Sequence, residues 1–92
     1  MTELAPLHPT ATYVLGMARV LTSDPARVEV EEVRRDREFL LLHIHPGSDD
    51  NAGAIIGTRG ANIERIRLLA QEHAAVHGLT VKIKVLSGVG AR

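Results

Sequence analysis

Gly53-Ala54-Ile55-Ile56-Gly57-Thr58-Arg59-Gly60-Ala61-Asn62-Ile63 is the stretch on which the reading of this chain turns. Ile55 and Ile56 are apolar and anchor the segment in a core. Gly57 and Gly60 bracket two polar residues. A glycine reaches positive φ, and without a Cβ it lets another molecule's backbone come close. A helical pattern begins directly after Gly60, so the loop stands on a helix N-terminus. Unpaired N–H groups and the positive end of the helix dipole point outward there, a setting that suits a phosphate. Arg59 adds a full charge at the tip. A bare Gly-x-x-Gly is common, and a glycine-capped helix corner with no ligand shows it too. The flanking isoleucines, Gly53 and the long amphipathic helix that follows narrow the choice.

Downstream, the helix is expected from Ala61 to about His77. Ile63, Ile66, Leu69, Ala70, His73 and His77 share one face of its wheel. Gly78 reads as the residue that ends it. Thr80-Val81-Lys82-Ile83-Lys84-Val85-Leu86 then alternates as a strand, with Val81, Ile83 and Val85 inward. Upstream, Pro46 to Asn51 is a loop, and Asp50 or Asn51 is expected to cap a short helix running through Ile56. Glu38 to His45 is nearly all apolar and reads as a central strand with both faces at least partly covered. Arg34-Arg35-Asp36-Arg37 is a polar turn. Arg27 to Glu31 is a strand with Val28 and Val30 inward, close enough to the next to form a hairpin. A first helix runs from a cap at Thr10 or Thr12 to about Ser23, with Val14, Met17, Ala18 and Leu21 on one face, and Asp24-Pro25 ends it.

The order is therefore α-β-β-α-α-β, an α+β fold. A mixed three-stranded sheet covered on one face by three helices buries these stripes most simply. The 38–45 strand is expected at its centre, antiparallel to the first strand and parallel to the last. Residues 1–9 are expected to be a flexible leader, 10–86 a single domain and 87–92 a flexible tail.

Composition limits the function. The 92 residues hold one small core and no cysteine, which excludes a disulfide framework and a cysteine zinc site. No basic segment followed by an apolar run marks a signal peptide, and no apolar run reaches transmembrane length, so a soluble cytoplasmic protein with no membrane partner is expected. The net charge is zero, which weighs against a nucleic-acid partner. The distribution is uneven, however. Residues 1–51 carry five Arg against nine Asp or Glu, a balance of −4, and residues 52–92 carry six Lys or Arg against two Glu, a balance of +4. The glycine loop belongs to the positive half. Modest, salt-sensitive binding is the consequence.

The spacing Ile-Ile-Gly-x-x-Gly-x-x-Ile resembles the heart of the K-homology (KH) domain, and the element order resembles its type II, prokaryotic form. More narrowly, Val20 to Pro25 followed by Val28-Glu29-Val30, and Thr80 to Leu86, resemble the small stand-alone bacterial KH proteins of the KhpA type. The resemblance covers nearly the whole chain. It implies a single-stranded RNA-binding protein, an RNA chaperone or post-transcriptional regulator. Such a protein works as a homodimer or beside a second KH protein. In that fold one wall of the RNA groove is the short helix, the glycine loop and the start of the long helix, here Ile56, Gly57, Thr58, Arg59, Gly60 and Asn62. The other wall is the sheet edge and the hairpin, here Arg34, Arg35 and Arg37, although a solvated turn is the ordinary fate of such a cluster. Ile56 and Ile44 would form an apolar floor under bases.

Two departures stand out. The family commonly carries a lysine where Thr58 stands, so the clamp has one cation fewer. Pro46 to Ala52 is longer than expected and adds Asp49 and Asp50, which would repel phosphate near the groove. A chain with one Phe and one Tyr offers no aromatic stacking platform.

The histidines invite a rival reading. His73 and His77, and His43 and His45, are spaced to share a face and could ligate zinc. Neither pair has a cysteine or an acidic residue at a metal-motif spacing, and an imidazole near a helix C-terminus packs and interacts with the dipole in any case. No Ser/His/Asp arrangement is recognisable, so neither an enzyme, a cofactor, a metal nor a small-molecule substrate is expected. The alternative to RNA binding is a KH-fold interaction or dimerisation module, for which Phe39 and Leu41, beside His43 and His45 on the face away from the helices, would be the adhesive patch.

Overall fold

A computed structural model describes residues 6–86; the expected tail, and residues 1–5 of the expected leader, lie outside the described residues. The elements are α1 (Pro9–Val20), β1 (Glu29–Arg35), β2 (Phe39–His45), α2 (Asp49–Ile56), α3 (Ala61–Val76) and β3 (Thr80–Val85). Short 3-10 turns at Pro25–Arg27 and Thr58–Gly60 link α1 to β1 and α2 to α3. The sheet order is β1-β2-β3, with β1 antiparallel and β3 parallel to β2. This is the expected α-β-β-α-α-β order with the expected central strand.

Leu40, Leu42 and Ile44 on one face of β2 are fully buried, and with Val81 and Ile83 of β3 they meet Ala11, Val14 and Ala18 of α1 and Ile63, Ile66, Ala70 and Ala74 of α3. Ile55 of α2 joins the same core. The other face of β2 is half-covered: Phe39, Leu41, His43 and His45 lie between long polar neighbours. The Arg34 guanidinium sits 5.1 Å from the Phe39 ring centroid, and His45 Nε2 lies 2.8 Å from Glu31 Oε1. The face expected to be adhesive is therefore not bare.

Several boundaries move. β1 continues to Arg35, and a bulge between Glu32 and Arg34 leaves Val33 without a partner on β2. Pairing with β2 outweighs the polar composition there, so Arg34 and Arg35 are strand residues and the turn is Asp36 to Glu38, where Asp36 Oδ1 accepts Glu38 N–H at 3.0 Å. α1 starts at Pro9 and is capped by His8, whose Nδ1 accepts Thr10 N–H at 3.0 Å, so neither Thr10 nor Thr12 is the cap. Proline suits the first helical position because its missing N–H would be unpaired anyway. Ser48 caps α2, so Asp49 and Asp50 form its first turn rather than a longer loop. On α3 the buried stripe runs Ile63, Ile66, Ala70 and Ala74, while Leu69 and His73 are half-buried and His77 is exposed. The packing against β3 and α1 rotates the stripe towards the small residue.

Asn51, expected as a cap, turns inward instead. Its Nδ2 donates to Asp24 O and Pro46 O at 2.9 Å each, and its Oδ1 accepts Asp24 N–H at 3.4 Å. Beside it Gly47 has φ +86, and a Cβ there would lie 2.6 Å from Arg27 O. The approach to β1 and the strand β3 are fastened from the helix layer. Arg19 donates through Nε and Nη2 to Val28 O at 3.3 and 3.1 Å, and Arg67 does the same to Ile83 O. Gln71 accepts from Val81 N–H and donates to Leu79 O.

The N-terminus of α1 is fastened to the C-terminus of α3. Thr10 Oγ1 lies 2.8 Å from His73 Nδ1, Tyr13 stacks on His73, and the rings of His8 and His77 meet edge-on at 4.9 Å between centroids. Burial, with His77 and Arg35 nearby, holds the His8 pKa below its ordinary 6.5. Burial alone would raise Glu32, but hydrogen bonds from Arg35 and the His8 backbone hold it below its ordinary range.

Two measurements test this packing. Asn51→Ala leaves the Pro46 carbonyl without this donor in a buried site, whereas Asp24 O keeps the Arg27 N–H at 3.2 Å, and should cost about 2 kcal/mol, read from urea denaturation. The depressed His8 pKa means that the unfolded chain takes the proton first, so stability is lost as pH falls from about 6.5 downward. Thermal melts should give a lower midpoint at about pH 5.5 than at about pH 7.5, and His8→Asn, which keeps a capping side chain, should shrink that difference. A midpoint that rises on acidification would contradict this account.

Candidate nucleic-acid interface

The glycine loop is built as its sequence requires. Gly57 ends α2 with φ 77°, Arg59 stands in the left-handed region at φ 57°, and Gly60, φ 78°, precedes the first residue of α3. Such a conformation is rare for a side chain with a Cβ, so Arg59 is held there by its neighbours. Thr58 and Arg59 are exposed, and among the described residues Arg59 makes no side-chain hydrogen bond or ion pair.

Asn62 explains the corner. Its Nδ2 donates to Ala54 O at 2.8 Å, which ties the first turn of α3 to the last turn of α2. The Asn62 side chain occupies the space a Cβ on Gly57 would need, the closest approach being 2.7 Å to its Cγ. One N–H of the Asn62 amide is thus spent on shaping the loop. Ile56 is 38% exposed beside Gly57 and keeps its expected place as an apolar surface, whereas Ile44 is wholly buried and cannot lie under a base.

The hairpin arginines stand at the end of β2 away from α2. The hairpin precedes β2 and α2 comes after it, so the seven residues of β2 lie between the hairpin and the start of α2, about 23 Å at the usual strand rise. Thr80 N–H donates to Glu38 O at 2.9 Å, which sets the hairpin beside the C-terminal end of α3. Arg34 pairs with Asp36 at 3.1 Å, and Arg35 with Glu32 at 2.9 Å and with Pro6 O at 3.2 Å. The contacts Gln71–Leu79 and Arg67–Ile83 run towards the loop, so the end of β3 at Val85 and Leu86 lies at its end of the sheet.

Asp49 and Asp50 lie at the far end of α2 from the loop, about 10 Å by helix rise, roughly one Debye length. Their expected repulsion is correspondingly weak. The cations of the positive half are dispersed: Arg59 is at the loop, Arg65 is on the outer side of the helix layer, Arg67 is at the β3 edge, and Lys82 and Lys84 are on the open sheet face. Lys84, level with His43 towards the loop end, is a cation that the sequence patterns do not single out. The return of β3 from the far end of α3 is the signal that places it there. Among the described residues no group of three or more His, Cys, Asp or Glu has a metal-holding arrangement, and no helix is long and apolar enough to cross a membrane.

No protein-family profile matches the sequence. No curated protein matches it either. Solved structures match its shape. Aquifex aeolicus Era bound to GDP·AlF4− superposes with a TM-score of 0.62 at 19% identity, over 95% of this chain and 38% of that one. Era in complex with MgGDPNP and nucleotides 1506–1542 of 16S ribosomal RNA gives 0.61 at 20% identity, over 94% and 37%. This chain thus spans well under half the length of either. The likeness shows the fold, which is the type II KH arrangement.

The corner yields a coupled prediction. Gly57→Ala meets both the positive φ and the Asn62 side chain and should destabilise by about 2–3 kcal/mol in denaturant melts. In an Asn62→Ala background the clash is gone, so the same change should cost about 1 kcal/mol, the remaining backbone strain. Equal costs in both backgrounds would remove Asn62 from the explanation.

Proposed function

We propose that this chain is a single-stranded RNA-binding domain that clamps the RNA backbone on the Gly57–Gly60 loop. It acts in the cytoplasm as an RNA chaperone or post-transcriptional regulator, in the manner of the small stand-alone KH proteins of the KhpA type. The observation that carries the reading is the loop itself. It offers an exposed Arg59, with no ion pair among the described residues, and backbone N–H groups at the N-terminus of α3, held in shape by Asn62. Era, whose solved structure contains a piece of ribosomal RNA, supports it as a structural relative. Catalysis, a metal and a cofactor form no part of this proposal.

Thr58, Arg59 and the two glycines hold the phosphates, with Ile56 beside them under a base. The hairpin cations Arg34, Arg35 and Arg37 engage a strand long enough to cross the length of β2. The apolar groove between α1 and α3 favours a second reading, an interaction module with little RNA binding.

Fluorescence anisotropy with single-stranded RNA, across a salt series, separates the two. Thr58→Asp with Arg59→Asp should abolish binding with native circular dichroism, because exposed loop tips tolerate substitution. With roughly three phosphates neutralised, log K should fall with log[salt] at a slope of about −2. Arg37→Ala should leave the affinity for about four nucleotides unchanged and weaken binding of a longer strand. Unchanged affinity in the doubly substituted loop would put the interaction module first.

A further inference from the structure

The sheet face turned away from the helices carries charge of opposite sign on its two sides. On β1 the register sets Glu29 beside His45, Glu31 beside His43 and Arg34 beside Leu41. On β3 it sets Lys82 beside Leu41 and Lys84 beside His43. The β1 charges are acidic or already spent: Glu31 lies 2.8 Å from His45 Nε2, and Arg34 pairs with Asp36 at 3.1 Å. Lys82 and Lys84 are exposed and make no ion pair among the described residues. They stand two residues apart, about 7 Å at the usual strand rise, so each can meet a separate phosphate. Arg19 and Arg67, by contrast, are turned onto carbonyls.

We propose that this face is a second contact surface for the RNA: the strand clamped at the glycine loop turns over the end of β3 and runs along Lys84 and Lys82. The inference rests on the loop reading and extends it. Continuity is the first argument. Val85 and Leu86 end β3 at the loop's end of the sheet, and Thr80 N–H meets Glu38 O at the other, where the hairpin stands. The cations Arg59, Lys84, Lys82 and Arg37, which make no ion pair among the described residues, therefore succeed one another from the loop, along β3, to the hairpin. β3 has six residues, about 20 Å of path, which lengthens the site beyond the roughly four nucleotides that a glycine loop clamps.

Charge complementarity is the second argument. With a net charge of zero the chain has no general attraction for a polyanion, so a local column of unpaired cations has to supply it. Glu29 and Glu31 repel the same polyanion and confine it to the β3 half of the face. Leu41 and His43 stand half-buried beside the lysines. The unstacked bases of a single strand can cover an apolar side chain and a ring, whereas the paired bases of a duplex cannot. Lysines on an edge strand also deter edge-to-edge pairing, a role that would leave RNA affinity untouched by their loss.

Fluorescence anisotropy across a salt series, with single-stranded RNA of about four and of about twelve nucleotides, tests the surface. Lys82→Gln with Lys84→Gln should weaken the longer strand about tenfold at low salt. It should also flatten the slope of log K against log[salt] by about 1.4, two phosphates at about 0.7 each. The shorter strand's affinity and the circular dichroism should not change. Arg65→Gln removes an unpaired cation from the helix layer and should alter neither length. Unchanged affinity and slope for the longer strand in the lysine variant overturns the proposal and leaves the column as an edge guard or the seat of an acidic protein segment. An equal loss in Arg65→Gln overturns it as well, because the effect is then one of net charge. So does an equal loss for the shorter strand, which would put the lysines in the loop site. If Thr58→Asp with Arg59→Asp leaves both lengths bound as in the wild type, the loop reading fails and this surface with it.

Discussion

The fold closes around one side-chain amide. Asn51 is wholly buried, and its two polar atoms are spent on backbone groups of Asp24 and Pro46. Those groups belong to the segment that leaves α1 and the segment that leaves β2. Neither lies in a strand ladder; Asp24 O also accepts Arg27 N–H, but a buried Pro46 carbonyl without a donor is costly. The amide therefore does for two irregular segments what a sheet does for strands. It also fixes where α2 starts, and α2 delivers the chain to the glycine loop. The position of Arg59 thus depends on a contact at the other end of α2.

Much of this architecture is legible from periodicity. The alternation in Thr80 to Val85 and the run from Phe39 to His45 mark the strands and their buried faces, because a residue facing helices must be apolar while its neighbour need not be. The glycine loop is legible because Gly57 and Gly60 stand where the backbone needs positive φ. Caps are not. His8, Ser48 and Asn51 all have capping chemistry in reach of a helix start, and tertiary contacts decide which of them turns in. Arg34 and Arg35 look like a turn because their composition is polar; pairing with β2 makes them strand.

The place of the hairpin is legible in the element order. A strand has two ends, and the segments attached to them lie apart unless the chain doubles back. β2 does not double back. Asn62 has a structural part that its position in sequence does not announce. Its place after the glycine pair suggests a contact outward, but its amide reaches inward to Ala54 O, and the need for Gly57 arises from that inward turn.

The side-chain latches on β3 have a consequence for the chain in a crowded solution. A sheet edge with free carbonyls and N–H groups is a template on which another extended chain can grow. On β3, Arg67 occupies Ile83 O, and Gln71 fills Val81 N–H and Leu79 O; at the other edge Arg19 holds Val28 O just before β1 begins. Each latch comes from a helix that is itself packed on the core, so it opens only when that helix lifts. A three-stranded sheet with an apolar central strand would otherwise be a seed for fibrils. At the β3 edge the protection is carried by side chains of the layer above, and it fails at the same moment as the fold.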